Sequence, residues 1–79
     1  MLINDLINNL EKIHTTELGI IRIKRSVEPE TEDVEDWCRQ KTANADNIIR
    51  KGKNWYVYSG DCIITINADS YTIITAHKS

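Results

Sequence analysis

His77, Lys53, Tyr56 and Tyr58 are the residues of this 79-residue chain whose types could do chemistry together. Histidine is the side chain whose ordinary pKa lies nearest neutral pH, so His77 could serve as an acid or a base. Cleavage of RNA is a reaction that such a set would suit. It needs a base on the 2′-hydroxyl, an acid for the leaving 5′-oxygen, and cations for the charge that builds on phosphorus. Tyr56 or Tyr58 could orient or protonate, and Lys53 with Arg50 and Lys51 could hold phosphate. No metal enters that scheme, and the sequence has no Cys/His cluster of zinc-ligand spacing, so no cofactor is expected. The competing reading of His77 is a surface histidine, because it lies close to the end of the chain, where exposure is the default.

Two basic clusters and one acidic run frame these residues. RKGK (Arg50 to Lys53) precedes a strand with Trp55 and Tyr56, and basic residues interleaved with aromatics are the pattern of a phosphate-and-stacking site. Gly52 gives the same stretch a simpler meaning, a turn or bulge. RIKR supplies Arg22, Lys24 and Arg25, which could contact phosphate or form only the solvated side of a helix. From Glu28 to Asp36, six of nine residues are acidic: Glu28, Glu30, Glu32, Asp33, Glu35 and Asp36. Carboxylates at a helix N-terminus offset its dipole, which is reason enough for them. The sharper reading is that they imitate a nucleic-acid backbone and occupy a basic groove on a protein partner. The net charge of −2 argues against a molecule built throughout as a polybasic nucleic-acid binder. Cys38 and Cys62 are too few and too far apart for a disulfide framework, so two reduced, largely buried thiols are expected.

The elements that would position these residues follow from periodicity. Leu2, Ile3, Leu6, Ile7, Leu10 and Ile13 recur at spacings of three and four, one apolar stripe of a helix. HTTELG interrupts it, with His14 placed to cap the first helix and Thr15 or Thr16 to start a second. In that second helix Leu18, Ile21 and Val27 are expected to face inward. Pro29 ends it, Thr31 is the expected N-cap of a third, and Val34, Trp37 and Cys38 are that helix's buried stripe. After the loop TANADN the period becomes two. NWYVY, CIITIN and YTIITAHK read as strands, and NIIRK as an additional short one. The fold class is α+β: two or three N-terminal helices on one face of a three- to four-stranded antiparallel meander. Residues 1–79 read as a single domain, with a helical half at 1–42 and a β half at 47–78. Apolar residues make up 41% and charged residues 28%, the balance of a folded chain. No apolar run is long enough for a membrane span, and the start lacks the features of a signal peptide, so a cytoplasmic protein is expected.

Turn positions give a strand register. A Ser59-Gly60 turn would pair Tyr58 with Asp61, and an Ala68-Asp69-Ser70 loop would pair Asn67 with Tyr71. Trp55, Val57, Cys62, Ile64, Ile66, Thr72, Ile74 and Ala76 then share an apolar face. Asn54, Tyr56, Tyr58, Ile63, Thr65, Asn67, Tyr71, Ile73, Thr75 and His77 share a mixed one. A slip of one residue would exchange the two faces. The mixed face is either solvated, as antiparallel sheets often are on one side, or a recognition surface.

IHTTELGIIRIKR, DVEDWCRQK, RKGKNWYV and CIITINADSYTIITAHK together resemble a family of small uncharacterised domains of bacteria and their mobile elements. GKNWYV with SYTIITAHK is the most specific part. That resemblance implies no activity. Two stretches depart from it, the acidity of SVEPETED and the charge at Asp69. The order of helices and sheet is also similar to the RelE/barnase-like ribonuclease toxins, which place catalytic basic and aromatic residues on one sheet face. In size and acidity the chain is similar to small phage inhibitors of defence nucleases.

Two functions are consistent with these residues. The first is a non-enzymatic binding module, such as a mobile-element inhibitor, that engages a protein partner through the acidic helix. The alternative is a metal-independent ribonuclease using the Tyr/His/Lys sheet face, with RNA as the partner. An exposed sheet edge would also allow a homodimer.

Overall fold

Helices do give way to sheet at TANADN, although Thr42 and Ala43 are still helical and Asn47 is already strand. The computed structural model describes residues 6–27 and 33–78. Leu6 and Ile7 are helical, and a 3-10 turn spans Leu10–Lys12. Helix α1 covers Glu17–Val27 and α2 covers Val34–Ala43. Strands β1 (Asn47–Lys51), β2 (Asn54–Ser59), β3 (Cys62–Asn67) and β4 (Ile73–Lys78) form an antiparallel meander in the order β1-β2-β3-β4. The fold is therefore α+β, with helices before strands. No described helix is long and apolar enough to cross a membrane.

Local chemistry explains where the helices begin. Thr16 Oγ1 accepts from Gly19 N at 3.0 Å, capping α1. Asp33 caps α2 by accepting from Asp36 N at 3.0 Å. The expected cap Thr31 lies outside the described residues, as do Leu2, Ile3 and Pro29. The first apolar stripe does not run on as one helix. Asn8 and Asn9 form a turn, since short amides compete for backbone partners.

One core lies between the helices and one sheet face. It joins Leu6, Ile13, Ile23, Val27, Val34 and Cys38 to Trp55, Val57, Ile64, Ile66 and Ala76. In α1 the buried residues are Gly19, Ile23 and Val27, an i, i+4, i+8 line. Leu18 and Ile21, expected inside, are 65% and 50% exposed. The reason is Gly19: a Cβ there would collide with Thr15 Oγ1. The glycine lets the helix close over the segment before it, and this choice of face turns Leu18 and Ile21 outward. Trp37 is half-buried at the core's margin, with Lys41 Nζ 5.6 Å above its ring.

The sheet register differs from the expected one in two ways. The β2–β3 turn is Gly60-Asp61, with Gly60 at φ +60°, so Ser59 pairs with Cys62 and Tyr58 with Ile63. Pairing moves by two positions, and faces repeat every two residues, so the face assignment of β2 and β3 survives. The second difference does change faces. Thr65 pairs with Thr75 but Ile66 with Ile73, which leaves Ile74 as the extra residue of a β-bulge. Ile73 therefore enters the core at 2% exposure and Ile74 is 43% exposed, the reverse of the expectation. Tyr71 also moves to the helix side, where its ring lies 5.3 Å from that of Trp55.

Candidate functional site

Strand alternation builds the open face from three cross-strand rows. Asn47, Tyr58, Ile63 and His77 form the first row. Ile49, Tyr56, Thr65 and Thr75 form the second, and Lys51, Asn54 and Asn67 the third. A hollow of about 420 Å³ opens on this face, lined by Ile49, Lys51, Tyr56 and Tyr58. Ile49 is 42% and Tyr58 38% exposed, while Thr65, the cross-strand partner of Tyr56, is buried at 7%. None of the residues in the four strands is Asp or Glu, whereas Arg50, Lys51 and Lys78 are cationic. The nearest carboxylates stand at the ends. Asp46 accepts from Gly60 N at 2.8 Å, Asp61 accepts from Cys62 Sγ at 3.5 Å, and Asp69 sits in the β3–β4 turn.

The ribonuclease set is divided by this geometry. Tyr58 and His77 share a row but are separated by Ile63. With strands about 4.8 Å apart, their backbones are about 10 Å apart. Lys53 lies in the β1–β2 turn at the opposite end, roughly 17 Å along the strand from Tyr58. An acid and a base for one phosphodiester must each come within hydrogen-bond reach of it. Only Tyr56, Tyr58 and Lys51 are gathered around one space.

The RKGK cluster is split in the same way. Arg50 pairs with Trp55 and so faces the helix side, its guanidinium 5.8 Å from the centroid of the indole ring. Its Nε donates to the Gly52 carbonyl at 3.1 Å. Lys51 faces the hollow, and Lys53 is exposed in the turn. Arg22, Lys24 and Arg25 are exposed on α1.

The acidic run is largely committed to the fold wherever it is described. Glu35 Oε2 accepts from Thr15 N at 2.8 Å, and its Oε1 lies 3.9 Å from Arg39 Nη2. Arg39 in turn donates to the Ile13 carbonyl at 2.8 Å. Asp33 is a cap, and Asp36 Oδ2 accepts from Gln40 Nε2 at 2.7 Å. Glu28, Glu30 and Glu32 lie outside the described residues.

A polar chain that sequence reasoning missed runs through His14. Its backbone forms a parallel bridge to Thr72: His14 N donates to Tyr71 O at 3.1 Å and Ile73 N to His14 O at 2.8 Å. The ring reaches the Lys12 carbonyl through Nδ1 at 2.8 Å and Thr72 Oγ1 through Nε2 at 3.1 Å. Thr72 Oγ1 then meets Ser70 Oγ at 2.8 Å, and Ser70 Oγ donates to Asn67 Oδ1 at 3.2 Å. A hydroxyl on an oriented imidazole is the start of a nucleophile. Here the chain's evident work is to bind the segment before α1 to the turn before β4. The expectation of a capping His14 caught one end of it, the Lys12 carbonyl. The other end joins residues 58 positions apart, for which local spacing carries no signal.

Both cysteines are free and buried. Burial pushes the Cys38 thiol up to about 12. Burial also raises Cys62, helped by its hydrogen bond to Asp61. Among the described residues no group of three His, Cys, Asp or Glu side chains could hold a metal ion.

No curated protein and no solved structure matches this chain. A family model does match it, over residues 7–77, and that span takes in α1, α2 and the hollowed sheet. The chain therefore belongs to the family described as "Protein of unknown function (DUF3781)".

Proposed function

We propose that this protein is a non-catalytic binding module and that its working surface is the open sheet face, not the acidic helix. The observation that carries this reading is the hollow between Ile49, Lys51, Tyr56 and Tyr58. It exposes apolar and aromatic area on an edge strand and its central neighbour, and regular strands hold a contact surface more precisely than loops do. The acidic-helix alternative is weakened because Asp33, Glu35 and Asp36 already bond within the fold. The ribonuclease alternative uses the same face, but its acid, base and phosphate holder are spread along it.

The reading is tested by a photo-crosslinking residue placed at Ile49, at Asp36 or at Arg22, with the protein expressed in bacterial cells and irradiated there. A partner adduct from position 49, lost when Tyr58→Ala is added, is the expected result. An adduct from position 36 with none from 49 would return the function to the acidic helix.

A further inference from the structure

We infer that the open sheet face binds single-stranded nucleic acid, with one unstacked base on each of Tyr56 and Tyr58 and a backbone phosphate at Lys51. The inference rests on the sheet face being the working surface and names what that surface takes. Three observations carry it.

The first is spacing. Tyr56 and Tyr58 are alternate residues of the same strand, on the same face. Alternate residues of a strand are about 6.8 Å apart, twice the roughly 3.4 Å between stacked bases. A duplex cannot lay neighbouring bases on two such rings, but a splayed single strand can. The hydroxyl tips remain free to meet base edges or sugar.

The second is charge. The strands carry no carboxylate, and the hollow's own charged residue is Lys51. Lys53 stands exposed beyond it in the next turn. Residues 47–79 hold four Lys or Arg against two Asp, whereas residues 1–46 hold six against ten acidic residues. The anionic half is the helical one, so a polyanion is directed to the sheet. Asp46 and Asp61 outnumber Lys78 at the Tyr58 end, and Lys51 and Lys53 outnumber Asp69 at the other, which orients the phosphates toward the Lys51 end.

The third is shape. Ile49 closes the hollow beside Tyr56, its cross-strand partner, and gives an apolar wall against which a flat base can lie. Base-on-aromatic stacking together with lysine contact is sequence-tolerant, so a preference for one base is not expected.

The test is fluorescence anisotropy with end-labelled oligouridine, oligothymidine and a DNA duplex, at low and moderate salt. Oligouridine and oligothymidine separate an RNA ligand from a DNA one. Tyr56→Leu and Tyr58→Leu keep apolar volume and should each weaken single-strand binding roughly 5- to 100-fold. Lys51→Ala should lower the salt slope by about 0.7. The triple change Arg22→Ala, Lys24→Ala, Arg25→Ala, on the opposite layer, should leave binding unchanged. Thermal melting of each variant confirms that it folds. Binding that survives both tyrosine changes but disappears with the α1 triple change overturns the inference. So does the absence of binding to any oligonucleotide. If the crosslink from position 49 then goes to a protein, the sheet face stands and only its ligand is wrong. If position 49 gives no adduct at all, the reading of the face fails with it.

Discussion

Cys38 shows how much a single buried side chain can shape the pH response. Burial lifts its thiol from an ordinary 9.0 to about 12, against a smaller opposing pull from Arg39. Between those values the folded chain keeps a proton that the unfolded chain has lost. Its contribution to stability is thus intact below about pH 9 and is lost as pH rises toward about 12, on the order of 4 kcal/mol if the whole window is crossed. Urea unfolding between about pH 8 and about pH 11 should give a steep fall for the native protein and a flatter one for Cys38→Ala. Equal slopes would show that this thiol does not carry the dependence. His14 is the second informative residue. His14→Ala removes two ring hydrogen bonds at an exposed site and should cost about 1 kcal/mol. A buried thiol was legible in the sequence from residue type alone. The His14–Thr72 contact was not, because nothing local to either residue encodes a partner 58 positions away.

At the scale of elements, the strands and two of the helices were legible, and the details that aim their side chains were not. Period-two patterning located β2 to β4, with β1 read as an additional short strand, and the hydroxyl cap located α1. Helix α2 opens at Asp33, two residues after the cap expected at Thr31, and the apolar stripe before α1 breaks at Asn8 and Asn9. A bulge leaves no mark in a run such as TIITAH, where Ile73 and Ile74 are chemically identical. Which one enters the core is decided by pairing with β3. The face of α1 was misjudged for a related reason, since a glycine in a helix is ordinarily a weak point rather than a contact. Here Gly19 is the contact, so replacing it has a predictable sign. Alanine would raise helix propensity by about 1 kcal/mol. Its methyl group would meet Thr15 Oγ1, whose bond to the Ile73 carbonyl at 3.3 Å ties α1 to β4. Overpacking of this kind costs about 1–3 kcal/mol, so Gly19→Ala should lower the melting temperature despite the better propensity. A melting temperature equal to or above that of the native protein would mean that Thr15 simply rotates away. Glu35 gives α2 a similar role. Glu35→Gln keeps an acceptor for Thr15 N but loses the charge facing Arg39, and Glu35→Ala loses both. The alanine change should destabilise by roughly 1–2 kcal/mol and the glutamine change by less, read from chemical unfolding.

At the scale of the molecule, the segment before α1 closes on the segment that opens β4. The segment at His14 and Thr15 runs parallel to the start of β4 and bonds to Tyr71, Thr72 and Ile73. Helix α1 then packs on β4, while α2 packs on β2 and holds Ile13 and Thr15 through Arg39 and Glu35. The last strand is therefore the piece against which the first half is organised. A domain of this size buries only about 60% of its unfolded surface, so it has little stability to spare. Removing β4 would uncover Ile23 and Val27 on α1 as well as Ile64 and Ile66 on β3, and would leave the His14 carbonyl without the Ile73 N–H. A chain ending at Tyr71 should accordingly show no cooperative thermal transition, and Trp55, fully buried in the complete fold, should fluoresce as a solvent-exposed indole. A truncated chain that still melts cooperatively with a blue-shifted Trp55 would mean that α2 and the β1–β3 meander are stable alone. In that case the open face, whose hollow belongs to β1 and β2, could be separated from the helix that covers β4. The 79-residue chain should instead lose the hollow and the core in a single step, because Tyr56 and Tyr58 on one side and Trp55 and Val57 on the other are consecutive residues of β2.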